Sequence, residues 1–240
     1  MFTLCIPTMD RFDNFLSKYL PKYIDNELIQ EIIISDENGN DVNKIATTFK
    51  GNLKLKLFTN AHVLGPFFNK LNACSKSSNE WIVLMDSDNF ADIDYFVTAK
   101  QYIEKNITNE KNIILAPSRA NPHFDFTHLE NLIYKKGTFI QNNINSKNQD
   151  VLINTGNYVI NKYLIDNINL TNELINISKS SACDVIYFNT LLFEQLNLHF
   201  HVVPKLTYSH VVHNDSIYLK TNHKFRIFNS YVYKRYNKLI

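Results

Sequence analysis

The stretch Glu80–Phe96, EWIVLMDSDNFADIDYF, decides how the chain is read. The apolar run Trp81 to Met85 fits a strand buried on both faces, and it leads straight into Asp86-Ser87-Asp88. Two carboxylates crowded at the end of a buried strand are costly unless something positive or hydrogen-bonding meets them. In extended backbone, residues two apart point to the same side, so both acids can share one cation directly or through water. Oxygen ligands suit Mg2+ or Mn2+. A structural alternative is open at this point: Asp88 or Asp92 as the N-cap of the helix that follows.

Working outward, residues 2 to 7, FTLCIP, read as a buried strand. Phe12, Phe15, Leu16, Tyr19 and Leu20 then repeat at the spacing of one helix face. EIIIS is a second short strand, stopped by the polar turn DENGND, and LKLKLF from Leu53 alternates with period two. Gly65-Pro66 opens a helix with Phe67, Leu71 and Cys74 inward. After the aspartates a helix is expected with Ile93, Phe96, Ala99 and Ile103 facing the core, followed by a strand NIILAP and a loop-rich stretch over 118–150. Strands alternating with helices imply an α/β fold with a mostly parallel, twisted sheet covered on both faces. Ligands bind such sheets at the carboxyl ends of the strands. The polar residues Thr8 to Arg11, Asp36 and Glu37, and Asp86 to Asp88 should therefore converge.

The second half is less regular. NTGNYVINKYLI reads as a glycine turn, a short strand and a helix start, and DVIYFNTLLFEQL as a helix with Val185, Phe188, Leu192 and Leu196 on one face. HFHVVPKL is the last strand. The polar QNNINSKNQD suits a flap near 137–150 that closes on a substrate.

With 240 residues and 45% hydrophobic content the chain can bury a sizeable core. A net charge of +2 gives no global electrostatic case for nucleic-acid binding. From Lys220 onward there are six Lys or Arg and no acid, interleaved with aromatics in KFRIFNSYVYKRYNKLI. That end could meet an anionic membrane surface peripherally, or simply be a solvated basic face. Cys5, Cys74 and Cys183 form no CxxC or Cys/His pattern, so neither a zinc site nor a disulfide framework is read from them. With no signal-peptide pattern and no apolar run of membrane-span length, a cytoplasmic location is expected.

Four blocks, CIPTMDRFDNFLSKYL, IIISDENGND, LGPFFNKLNACSKSSNEWIVLMDSDNF and ACDVIYFNTLLFEQL, occur in an order and spacing that resemble the family 2-like glycosyltransferases of the GT-A fold. The resemblance covers most of the chain. It implies a single GT-A domain over 1–240, with a nucleotide-binding half at 1–92 and an acceptor-side half at 93–240. It implies a metal-dependent, inverting transfer of a sugar from a UDP- or GDP-type donor to a carbohydrate or other hydroxyl acceptor, with Mn2+ or Mg2+. By the same likeness Thr8 and Arg11 lie near the nucleotide, while Asp36, or else Glu37, meets the base. Gly65, Asn69 and Lys70 line the diphosphate, where a helix N-terminus also offers amide donors. Asp86 and Asp88 match the D-x-D, the second acid ligating the metal and the first touching ribose or metal-bound water.

Asp184 falls where an inverting relative carries its general base, a role that requires reach to the acceptor hydroxyl. As the first residue of a helical pattern it is equally an N-cap. His210 and His213 both stand where related enzymes supply a histidine to the metal or diphosphate, with His213 preferred. DENG replaces the family's commoner DDGS-like turn, Asp10 stands where Asn is commoner, and Gly156 in NTGN would permit a close backbone approach.

Three other readings compete. A sugar-phosphate nucleotidyltransferase needs a glycine-rich loop after the first strand, and IPTMDRFDN has no glycine. A haloacid-dehalogenase-type phosphatase also uses D-x-D, but on its first strand. A non-catalytic nucleotide- or glycan-binding relative would keep the D-x-D and lose turnover. His123, Phe124 and Phe126 are plausible acceptor contacts or core residues.

Overall fold

The computed structural model describes residues 1–137, 151–170 and 184–214. The segment 138–150, Cys183 and the basic C-terminal run therefore lie outside the described residues.

A nine-stranded sheet in the order β3-β2-β1-β4-β8-β5-β9-β7, with β6 paired to β5, organises the chain. β1 (Phe2–Thr8), β2 (Ile29–Asp36), β3 (Leu55–Thr59) and β4 (Trp81–Leu84) are mutually parallel. β8 (Val159–Asn161) runs antiparallel between β4 and β5 (Ile113–Asn121), and β9 (His199–Ser209) is parallel to β5. The short β6 (Phe124–Asp125) and β7 (Ile133–Tyr134) pair antiparallel at the far side. Six strands share one direction, so the sheet is mostly parallel, as the alternating pattern predicts.

Helices cover both faces and make two cores. One core joins α3 (Pro66–Ser75), α5 (Lys162–Asn167) and α6 (Asp184–Leu196) to the sheet through Phe67, Cys74, Leu164, Tyr187 and Leu191. The other joins α1 (Ser17–Asp25), α2 (Asn40–Thr48) and α4 (Ile93–Asn106) through Leu20, Tyr23, Ile45, Phe96 and Ala99. β1, β2 and β4 are buried along their centres, which is why they read as continuous apolar runs, whereas β3 at the sheet edge is only half-buried, with Lys56 and Thr59 exposed, in keeping with its alternation.

Some local expectations change. Ile93 is 59% exposed, because α4 turns Tyr95, Phe96 and Ala99 inward instead. DENGND does not only turn: Gly39, at φ 83°, starts α2 at Asn40. Residues 118–121 belong to β5 and not to a loop. α6 is buried from Asp184 to Phe193 on every side, so no single face carries its packing.

Cys5 and Cys74 are buried free thiols. Among the described residues no helix is long and apolar enough to cross a membrane.

Candidate active site

The carboxyl ends of β1, β2 and β4 lie side by side. Thr8 pairs with Asp36 across β1 and β2, and Cys5 sits opposite Leu84 across β1 and β4. The polar residues after these strands therefore share one edge.

Two of them are occupied locally. Asp36 is fully buried, and its carboxylate accepts the amides of Asp41 (2.9 Å) and Val42 (3.0 Å), fastening the first turn of α2. Glu37, also buried, accepts the Leu64 amide at 2.7 Å and the Asn60 side chain at 3.3 Å, which ties down the loop before α3. Thr8 donates its hydroxyl to Asp41, whose carboxylate also accepts the amides of Arg11 and Phe12. Asp41 was not singled out by sequence, yet it shapes the whole turn after β1. Asp10 takes a left-handed conformation (φ 55°) and accepts from Asn38 and Asn40. Those side-chain amides hold its carboxyl below the usual aspartate range, against slight burial.

Gly65 precedes α3 at φ 83°, ψ 164°, a backbone state that needs glycine. Asn69, one turn later, is buried and accepts from Asn60 at 3.0 Å. Lys70 points the other way. Its ammonium lies 2.7 Å from Asp184 and 3.3 Å from Asp86, and its side chain is only 15% exposed, so it is no solvent-facing lysine. Burial works against its charge, but Asp184 and Asp86 outweigh burial and raise its pKa above the ordinary lysine range. Below this trio the chain leaves a small apolar cavity of roughly 10 Å³, lined by Phe67, Leu71, Tyr158 and Val185 among others. A low-dielectric wall strengthens the charge pairing above it.

The competing explanation of D-x-D as a helix cap is resolved by Asp92, which caps α4 by accepting the Tyr95 amide. Asp86 and Asp88 are left for other partners. Asp86 exchanges two hydrogen bonds with Asn157: its amide donates to Asn157 Oδ1 (2.8 Å), and Asn157 Nδ2 donates to its carboxylate (3.1 Å).

Asp88 meets His213, with Oδ2 and Nε2 2.8 Å apart. The chain beyond β9 reaches this place because Ser209 forms a two-bond bridge with Phe90, and Asn89 accepts the Val211 amide at 2.9 Å. Phe90 in turn packs on Tyr19 and Tyr23. His210 turns elsewhere, with Nδ1 3.2 Å from the Tyr208 hydroxyl and its ring against Phe124 and His123. Phe126 is buried, stacked on Phe124.

These donors fit a divalent ion in part. Asp88 and His213 form an oxygen–nitrogen pair of a kind Mn2+ accepts, leaving further positions to water and phosphate oxygens. Asp86 is turned to Lys70 and Asn157. The trio Asp86, Asp88 and His213 is thus not a closed three-ligand cluster: among the described residues the group of three whose ligand atoms all lie within 4.8 Å is Glu110, His199 and His201.

Asp184 opens α6 and is buried, its carboxylate leaving the helix for Lys70. Asn154 Oδ1 accepts the Ile186 amide at 3.1 Å, so NTGN helps cap this helix. Gly156 brings its backbone against α6: a Cβ there would stand 2.6 Å from Val185 Cγ2.

No family model matches the sequence, and no curated protein sequence matches it. Solved structures do match in fold. Residues 1–349 of S. aureus TarS, in complex with UDP-GlcNAc, align with a TM-score of 0.62 at 16% identity, over 90% of this chain and 59% of that one. The mannosyltransferase PcManGT from Pyrobaculum calidifontis, in complex with GDP-Man and Mn2+, aligns with a TM-score of 0.61 at 12% identity, over 96% and 64%. The chain spans less than two thirds of the length of either. At these identities the likeness shows the fold, which is of the GT-A type.

Proposed function

We propose that the protein is a family 2-like glycosyltransferase. It would move a sugar from a nucleotide-diphosphate donor to a hydroxyl acceptor, with inversion at the anomeric carbon. The observation that carries this reading is the convergence, at the carboxyl ends of the parallel strands, of Asp88 with His213 and of Lys70 with Asp86 and Asp184. The ligands bound in the similar structures, UDP-GlcNAc in TarS and GDP-Man in PcManGT, support a nucleotide-sugar donor.

In this reading Asp88 and His213 would hold Mn2+ or Mg2+, with Asp86 on the donor side. The ion would offset charge on the leaving diphosphate. Lys70 has two roles. In the free protein it holds Asp86 and Asp184 in place. A donor diphosphate is a stronger anionic partner and draws the ammonium toward itself, leaving Asp184 free to accept a proton. The acceptor oxygen then attacks the anomeric carbon, its proton passes to the Asp184 carboxylate, and the bond to the diphosphate oxygen breaks with its electrons on the nucleotide.

A second reading, a GT-A relative that binds without turnover, is favoured by one feature: in the free protein Asp184 is buried and already paired.

The test is calorimetry with UDP, GDP, CDP and TDP, each with Mn2+, Mg2+ or EDTA, followed by assay of transfer from the matching nucleotide sugar. Metal-dependent binding with release of nucleotide diphosphate supports the transferase. Binding with no turnover on any acceptor supports the second reading. No metal-dependent binding overturns both.

A further inference from the structure

At the end of β9 away from the D-x-D, two histidines sit on one strand with no assigned work. β9 begins His199-Phe200-His201, and residues two apart on a strand face the same way. Their rings are nearly parallel, with centroids 6.4 Å apart. His199 Nδ1 and His201 Nε2 are both buried and have no hydrogen-bond partner among the described residues. Buried ring nitrogens without partners are uncommon, because each forfeits its hydration for nothing. Glu110, just before β5, places a carboxylate oxygen 3.5 Å from His199 Nδ1, too far for a good hydrogen bond. The His199 amide donates to the Asn112 carbonyl at 2.8 Å, which holds the two segments in register.

We propose that Glu110, His199 and His201 form a binding site for a divalent transition-metal ion, of which zinc fits best. The three ligand atoms lie within 4.8 Å of one another, so small shifts close them on one ion. Two imidazoles and one carboxylate are the donor set of borderline ions, and Zn2+ takes such a trio with water in the fourth position.

The surroundings support it. His201 Nδ1 lies 3.1 Å from the Tyr102 hydroxyl on α4. A hydrogen bond there from Nδ1–H would fix the tautomer that leaves Nε2 with its lone pair toward the ion. Burial lowers the His201 pKa to about 4, so near neutral pH the ring is an unprotonated ligand. Glu110 is about half exposed, which gives the ion an entry path. Lys135 is the opposing charge nearby.

This site is distinct from the candidate donor site. β9 runs from His199 at one end to Ser209 beside Phe90 at the other, on the order of 30 Å at about 3.3 Å per residue. An ion here would clamp the start of β9 to the loop before β5 and, through Tyr102, to α4.

The experiment uses untagged full-length protein stripped with chelator and titrated with Zn2+ and Co2+. The expected result is one equivalent of zinc, a rise in Tm of roughly 5 °C in excess metal, and visible absorption from Co2+ of low coordination number. E110Q at the exposed side and H199Q, whose side chain is largely buried, should each weaken binding at least tenfold, and Y102F by about tenfold. D88N should bind zinc here as the parent does. Only weak binding without a defined stoichiometry, unchanged affinity in H199Q and E110Q, or loss of the zinc in D88N would each overturn the proposal.

Discussion

Lys70 Nζ and Asp184 Oδ2 stand 2.7 Å apart across 114 residues of sequence, in a place where little water reaches either. The same ammonium is 3.3 Å from Asp86, so one cation serves the D-x-D and the candidate base together.

Removing that cation should therefore be felt in stability. Lys70→Ala leaves Asp184 buried without its partner, and breaking a buried ion pair from one side costs about 3 kcal/mol. Adding Asp184→Asn to it should recover part of the loss. Urea denaturation of the two single variants and the double variant measures the coupling; equal, additive losses would refute it.

Asp184→Asn alone should keep nucleotide-sugar binding and lose transfer, since an amide cannot take the acceptor's proton. Calorimetry and a product assay on one preparation separate the two effects. A parent-like transfer rate would leave Asp184 as a partner for Lys70 only.

Asp88→Asn should abolish metal-dependent nucleotide binding without unfolding the protein, because the α4 cap is made by Asp92 and Asp88 is only part-buried. His213→Ala should weaken the metal response and leave its nucleotide preference. Circular dichroism with metal titration in the presence of nucleotide reads both.

Gly156 combines φ 66° with an approach to Val185 that no Cβ fits. Gly156→Ala should cost about 2–3 kcal/mol, from left-handed backbone strain and overpacking together. Gly156→Ala with Val185→Ala should return the packing share alone. Thermal melts distinguish this from a simple turn, where Ala would cost only the strain.

On the acid side, burial lowers the His201 pKa to about 4. The unfolded chain then binds the proton first, so stability falls as pH drops from about 6.5 toward 4 and levels off below that, by about 3 kcal/mol in all. Glu31 acts lower down. Burial opposes its charge, but Lys56, Thr3 and Ser78 together bring its pKa to about 2, so its contribution is present above about pH 4.5 and fades toward pH 2. Denaturation of the metal-free parent and His201→Gln across pH 4 to 7 should show the upper step in the parent alone.

Much of the fold was legible because strands buried on both faces must be apolar throughout. FTLCIP, EIIIS and WIVLM announce themselves that way, and Gly65-Pro66 marks a helix start for backbone reasons that are local. α2 escaped because its apolar face is thin: Val42, Ile45 and, at the C-cap, Phe49 are all that pack inward from a run otherwise rich in Asn, Asp and Thr. Ile93 was misplaced because a three- or four-residue spacing also fits a helix rotated slightly about its axis.

The candidate site divides along the same line. By itself the sequence determined the order of the principal strands and helices other than α2, the acidic end of β4 and the edge at which polar residues gather, since these follow from periodicity and chain direction. Only the tertiary structure decided that Asp36 and Glu37 are spent on backbone amides, that His213 and not His210 meets Asp88, and that Lys70 joins Asp86 to Asp184. Each of those outcomes depends on which donor lies within about 3 Å of a carboxylate, a distance set by packing between segments far apart in the chain.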